Sequence, residues 1–343
     1  MSKRKVVKNA TRFTFTIILL IAIAVFGVLL YYNSNLEAAS RDGKEQEVVI
    51  PKGISVKGIS TILEKQGIIK NADVFYFYSK LTNKAPKIQA GNYILSSSMT
   101  VPEILDKLSA GKAKIDTVRF TIPEGFELRQ IADRLAADGL IDKDKFYAAI
   151  EKAEFDYQFV KAIPDRENKL EGYLFPDTYE VFKNSSEQVI LDRMLKQFNQ
   201  VFTEEYRKRA DELNMTVDEV IILASIIERE AKLDNERKII SAVFHNRLEK
   251  NIKLQSCATV QYLLKEQKAV LTYKDLEIKS PYNTYMYEGL PEGPIASPGA
   301  KSIEAALYPE DVDYLYFVAN KDGSHIFTMT YQEHLDAQNK IRQ

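Results

Sequence analysis

The sequence predicts an α+β chain in three parts: one N-terminal transmembrane helix, a small βααβ module, and a larger mixed α+β domain. Three observations carry that expectation. The first is an uncharged apolar run of twenty residues near the N-terminus. The second is a strand, a turn and two amphipathic helices that recur at an offset of 72 residues. The third is a downstream region in which helical periodicities give way to a Gly/Pro-rich stretch and a hairpin signal.

Phe13 to Tyr32 reads FTFTIILLIAIAVFGVLLYY. As a helix it spans about 30 Å, the thickness of a hydrocarbon core. Tyr31 and Tyr32 close it as interfacial aromatics do. Lys3, Arg4, Lys5, Lys8 and Arg12 precede it with no acid among them, which sets residues 1–12 in the cytoplasm and the rest outside. The run exceeds a signal-peptide core, so a retained single-pass anchor is expected, with Glu37-Ala38-Ala39-Ser40 only a weak cleavage candidate.

Composition removes several chemistries. Lys+Arg number 47 against 48 Asp+Glu, and without the five N-terminal cations the remainder carries −6, so nothing draws nucleic acid. The single Cys257 rules out an internal disulfide framework and a cysteine-ligated zinc site; a small buried hydrophobe is the expected role. His245, His325 and His334 form no HExxH, and no P-loop, GxGxxG or GxSxG pattern occurs.

Residues 33–47 read as a polar tether and 48–115 as the small module. Ile50, Pro51, Gly53, Ile59, Leu63, Gly67 and Ile69 recur as Ile122, Pro123, Gly125, Ile131, Leu135, Gly139 and Ile141. Each copy predicts a strand (Val48–Ile50; Val118–Ile122), a Pro-x-Gly turn, a helix ending at the glycine, and a second helix (Asn71–Leu81; Asp142–Ile150). In the first copy Gly91–Leu95 reads as a returning strand, and Thr100-Val-Pro-Glu103 as a capping box. Strand–helix–helix–strand at this length resembles a LysM module, a small fold that grips N-acetylated sugar chains; a generic α/β packing unit is the alternative.

The domain at 116–343 includes the second copy at 118–150. Leu170 to Tyr179 (LEGYLFPDTY) reads as a structured loop. Helices are expected at Glu187–Leu213, Val217–Lys232 and Val243–Leu248. Ser280–Gly299 is irregular, and Tyr314–Val318 with His325–Thr328 forms a hairpin around Asp322-Gly323 before a helix capped by Thr330.

One helix points to chemistry. Thr216 and Glu219 make a capping box, and Val220 to Ile227 is apolar on every face, the mark of a buried helix. Glu228 follows on the face of Ile221, Ala224, Ser225 and Ala231. Burial raises a carboxyl pKa, which suits a general acid near neutrality. Glu230 lies about 200° around the helix, so this helix offers one carboxyl where a hydrolytic glycosidase needs two. The alternative is a helix-end glutamate paired with Lys232.

Several blocks in order resemble the YceG-like family of endolytic murein transglycosylases. They are Leu170–Tyr179, Leu223-Ala-Ser-Ile-Ile-Glu-Arg-Glu230, Val243-Phe-His-Asn-Arg-Leu248, Leu254-Gln-Ser256, Tyr282-Asn-Thr-Tyr285, Gly289–Ile295 with Ser297-Pro-Gly299, and Tyr314–Ala319 before His325-x-Phe327. The resemblance implies Glu228 as catalytic acid and base. It implies a lyase that cuts the N-acetylmuramic acid to N-acetylglucosamine bond within nascent strands, leaving 1,6-anhydro ends and terminating elongation. Tyr282, Asn283 and Thr284 would form a cleft wall, with Glu230, Asn246 and Gln255 as further substrate contacts; for Glu230, pairing with Arg229 or Arg237 is the structural alternative. No metal or organic cofactor is implied. Peptidoglycan strands are the implied substrate, and peptidoglycan synthases (penicillin-binding proteins) candidate partners, at the outer face of a cell membrane. Cys257-Ala258 stands where many relatives carry Asp-Pro, so no contact assigned to that acid transfers. Alternatives are a non-catalytic glycan-binding scaffold and a hydrolytic muramidase.

Overall fold

In the computed structural model, residues 3–40, 45–111, 117–153, 155–183, 185–264 and 267–342 are described. The chain divides into two compact units, Met1–Thr117 and Val118–Gln343. The tether expected at 33–47 and the end of the module at 115 fall partly outside the described residues.

The first unit opens with the long helix α1 (Lys3–Leu36). Its Leu19–Leu36 stretch is long and apolar enough to cross a membrane, and the side chains from Leu19 to Tyr31 that are described stand largely exposed. The βααβ unit follows: β1 (Glu45–Ile50), α2 (Val56–Lys65), α3 (Ala72–Leu81) and β2 (Gly91–Ser96), with α4 (Val101–Ser109) completing it. β1 and β2 pair antiparallel, Glu45 opposite Ser96 and Ile50 opposite Gly91. Ser55 and Asn71 cap the two helices through their side-chain oxygens, and Thr100 and Glu103 form the expected capping box on α4. Val48, Leu63, Ile68, Phe75, Leu95, Ile104 and Leu108 are wholly buried in its core.

The second unit begins with the repeated motif: β3 (Thr117–Thr121), α5 (Leu128–Ala137), α6 (Lys143–Lys152) and the short α7 (Gln158–Ala162). The backbone repeats with the sequence. Gly53 and Gly125 have φ of 81° and 75°, and Gly67 and Gly139 have φ of 70° and 68°, a left-handed conformation that glycine adopts at no steric cost. β3 pairs with β4 (Thr178–Phe182), a strand that takes over the last two residues of the expected loop, and the Leu170–Phe175 block before β4 is mostly buried.

The helix expected over Glu187–Leu213 is two helices, α8 (Glu187–Val201) and α9 (Glu204–Glu212). Val201-Phe202-Thr203 is a weak helix-forming run, Phe202 is fully buried, and Thr203 Oγ1 accepts the Tyr206 N–H to cap α9. α10 (Val217–Glu230) stops two residues short of Lys232 because Ala231 turns extended, ψ 118°, toward α11 (Arg237–Glu249). α11 is longer at both ends than the expected Val243–Leu248. After α12 (Cys257–Leu263) and α13 (Tyr273–Leu276), an irregular stretch leads to α14 (Ala300–Leu307). β5 (Tyr316–Ala319) and β6 (His325–Thr328) form the expected antiparallel hairpin, and α15 (Tyr331–Arg342) follows its Thr330 cap. Cys257 is exposed, contrary to expectation: it is the first residue of α12, and its Sγ lies 3.0 Å from the Tyr285 hydroxyl.

Candidate active site

α10 is the axis of the site. Thr216 Oγ1 accepts from the Glu219 N–H at 3.2 Å while Glu219 Oε2 accepts from the Thr216 N–H at 2.8 Å. The same turn is bolted to the chain ahead of β4: Asp218 takes both Arg166 η-nitrogens, at 2.6 and 2.8 Å, and the Tyr173 hydroxyl at 2.6 Å. Val220 to Ile227 are all buried, so the helix is fixed within the core along its length.

Packing then delivers the loops. Ser225 Oγ donates to the Ile222 carbonyl and accepts the Ile295 N–H at 3.0 Å, which ties the Gly/Pro-rich stretch to α10. Gly172, φ 84°, has room for no side chain because Pro294 and Ile221 crowd it. Ser297 and the second-copy turn hold each other: Gly125 N–H donates to the Ser297 carbonyl and Ser297 N–H to the Phe126 carbonyl, both at 2.8 Å.

Glu228 lies where these pieces meet, its side chain 7% exposed. Its Oε2 accepts from Ser302 Oγ at 2.7 Å, from the Gly299 N–H at 3.1 Å and from Arg237 Nη1 at 3.4 Å. Arg237 Nη1 also donates to Ser302 Oγ at 2.6 Å, so cation, hydroxyl and carboxylate form one chain. None of the three bonds uses Oε1. The partner is Arg237 on α11 rather than Lys232: the chain reverses after Ala231 and brings the start of α11 back onto the end of α10.

A second carboxylate is present that the helix alone does not reveal. Glu124, on the Pro123-Glu-Gly125 turn, lies against Gly299, where an added Cβ would collide with its carboxylate. Partial burial and the negative charge of Glu228 raise its pKa, against the opposing pull of Arg237 and Lys301. The signal lay in the repeat: the first copy has Lys52 at this position and the second has Glu124.

The other expected contacts divide into two groups. Glu230 and Gln255 come together in a cavity of about 590 Å³ lined also by Arg247, Cys257, Tyr285 and Tyr316. Glu230 pairs with neither Arg229 nor Arg237; its Oε1 accepts from Ser256 Oγ at 2.5 Å and the Ala258 N–H at 3.3 Å, at the start of α12. Gln255 is exposed and left-handed, φ 49°.

The second group makes its contacts within the scaffold. Asn246 Nδ2 donates to the Val312 and Tyr314 carbonyls, anchoring the approach to β5. Asn283 is fully buried, its Nδ2 on the Leu276 and Ile278 carbonyls and its Oδ1 on the Tyr285 N–H. Thr284 is buried with Oγ1 on the Ser256 N–H and Thr259. Tyr282 is half-buried, with its ring 5.1 Å from that of Tyr262. Asn246, Asn283 and Thr284 spend their polar atoms on the scaffold.

Fold and site together bring two carboxylates, Glu228 at the end of a buried helix and Glu124 on a neighbouring turn, against Gly299 in a mixed α+β domain. The sequence profile of the YceG-like family matches residues 48–340. The chain is 38% identical over 330 residues to a Bacillus subtilis protein named endolytic murein transglycosylase, covering 93% of this chain and 91% of that one. It is 32% identical to a Streptococcus pneumoniae protein of the same name, of which it spans 62%. A crystal structure of a yceG-like protein from Listeria monocytogenes, 41% identical, aligns over 85% of this chain and 98% of that one with a TM-score of 0.58. The chain belongs to the YceG-like family.

Proposed function

We propose that this protein is a membrane-anchored lytic transglycosylase, a lyase that cuts peptidoglycan glycan strands internally with Glu228 as its acid. The class follows from family membership and from relatives named for that activity over nearly the whole chain. The observation that supports Glu228 is its setting. Three donors occupy Oε2, which leaves Oε1 to carry the transferable proton.

In the proposed reaction Oε1–H protonates the oxygen that links N-acetylmuramic acid to N-acetylglucosamine, and the C1–O bond breaks toward that oxygen. The carboxylate left behind is held by Arg237 and Ser302. It then takes the proton of the muramic acid C6 hydroxyl as O6 closes onto C1, giving the 1,6-anhydro ring and restoring the acid. The nucleophile belongs to the substrate, so one carboxyl serves both proton transfers. A buried arginine beside the acid fits a group that must hold negative charge for part of each cycle.

α1 is proposed as the single-pass anchor, its basic start cytoplasmic and both units outside. The Leu19–Leu36 stretch spans about 27 Å as a helix, close to a hydrocarbon core. The βααβ unit is proposed to hold glycan, and synthases to be partners. Cutting strands while they are made would end their elongation.

General acid catalysis contributes about 10²–10⁴-fold. Glu228→Gln is therefore expected to release soluble fragments from purified peptidoglycan at least about 100-fold more slowly, with its melting curve still cooperative. Retained release by a folded variant would overturn the assignment of Glu228.

A further inference from the structure

Gly299 poses a question that its backbone does not answer. Its φ is −75°, a value any residue adopts, yet a Cβ there would run into the Glu124 carboxylate. What the position excludes is a side chain between two acids: Gly299 gives its N–H to Glu228 Oε2 and its Cα to Glu124. The hydrogen bond is 3.1 Å long, the hypothetical Cβ lies under 3.0 Å from a Glu124 oxygen, and that Cβ is about 2.5 Å from its own nitrogen. The two carboxylates are therefore no more than about 9 Å apart, a spacing at which paired carboxyls act on one glycosidic bond.

We propose that Glu124 is a second carboxylate of the reaction centre, set across Gly299 from Glu228 to face the positive charge that develops on the anomeric carbon. The inference rests on the transglycosylase reading and adds a residue to it. Glu124 forms no bond to the substrate and exchanges no proton with it in turnover; its ionised carboxylate stabilises an oxocarbenium-like transition state.

Three observations support this division of labour. The Glu228 carboxylate is locked by three donors, whereas no hydrogen bond or ion pair reaches the Glu124 carboxylate among the described residues, and Glu124 is only partly buried. The turn that carries Glu124 is fixed on both sides, by the Ile122 N–H on the Asp177 carbonyl at 3.0 Å before it, and after it by Gly125 and Phe126 on Ser297 and by Arg229 Nη1 on the Gly125 carbonyl at 3.1 Å. The same turn in the first copy, remote in sequence from Glu228, carries Lys52.

The charged groups facing Glu124 are Glu228 from α10, Asp234 in the turn before α11, Arg237 at the start of α11, and Lys301 from α14. Burial and Glu228 place its ionisation above the ordinary glutamate value. Activity that needs the ionised form therefore falls as pH drops through that raised value.

The test measures kcat and KM of the full chain on uncrosslinked glycan strands from pH 4.5 to 8, for the wild type, Glu124→Gln, Glu124→Asp and Gly299→Ala. Glu124→Gln is expected to lower kcat by about 10–100-fold with KM within about twofold, and to lose the acid limb of the profile. Glu124→Asp keeps the limb at an intermediate rate. Gly299→Ala, which displaces the Glu124 carboxylate without replacing either acid, also lowers kcat; it stands in should Glu124→Gln fail to fold. An unchanged kcat in Glu124→Gln, or the wild-type acid limb in that variant, overturns the proposal while wild-type anhydro ends leave the transglycosylase reading intact. A wild type that makes no anhydro ends overturns both.

Discussion

Glu171 should make the stability of the second unit depend on pH in a direction opposite to acid denaturation. It is 2% exposed; burial, reinforced by Glu127, pushes its carboxyl up to about 8. The Leu128 N–H at 2.9 Å and the Tyr262 hydroxyl at 3.1 Å oppose that shift without cancelling it. The folded-state value is raised above the unfolded 4.5, so the native protein holds one extra proton between the two. The contribution is full below about pH 4.5 and is lost as pH rises toward 8. At 1.36 kcal/mol per unit the span amounts to about 5 kcal/mol as an upper bound. A third of that would move the melting temperature by about 3–6 °C in a domain of this size. The assay is thermal unfolding of wild type and Glu171→Gln at steps from pH 4.5 to 9. The difference between the two curves should grow in favour of Glu171→Gln as pH rises, and His245, whose pKa burial lowers, titrates alike in both. Parallel curves across the range would refute a protonated Glu171.

Three further expectations follow from particular contacts. Thr216→Ala removes the cap of α10 and should cost about 1 kcal/mol, or about 2–4 °C, with catalysis unchanged at temperatures where the protein is folded; calorimetry and initial rates check it. Asn246→Ala strands the Val312 and Tyr314 carbonyls, so unfolding should become easier by about 1–3 kcal/mol while KM stays constant; a raised KM with wild-type stability would contradict this and make Asn246 a substrate contact. Deleting residues 45–112 should slow action on polymeric glycan more than on short fragments, measured as rate ratios. Equal slowing on both would remove the glycan-holding role of the βααβ unit.

Much of the fold is legible because it depends on local rules. The positive-φ glycines of the repeat, the capping boxes at Thr100 and Thr216 and the Asp-Gly hairpin each follow from residues close together in the chain. Glu228 is legible for the same reason: a charged residue ending an all-apolar helix is costly wherever that helix is buried. Reading fails where distant segments decide. The break at Thr203 depends on how Phe202 packs, and β4 exists because β3, more than fifty residues earlier, offers it an edge. Glu124 meets Glu228 across more than a hundred residues, with only the Lys52-to-Glu124 difference between the copies as a clue. The Tyr282-Asn-Thr block reads in sequence as a polar wall, yet the fold turns Asn283 and Thr284 inward to satisfy backbone groups that an irregular loop would otherwise leave unpaired.

The central claim is the reaction itself, and the ends of the products report it. A fragment starting near residue 45 and its Glu228→Gln counterpart would be incubated with purified peptidoglycan and the soluble glycans analysed by mass spectrometry. The account predicts internal fragments that end in 1,6-anhydro-N-acetylmuramic acid, 18 Da lighter than hydrolysed ends by the mass of one water, and none from Glu228→Gln. Reducing ends from the wild type would contradict it and make the Glu124–Glu228 pair the machinery of a hydrolase.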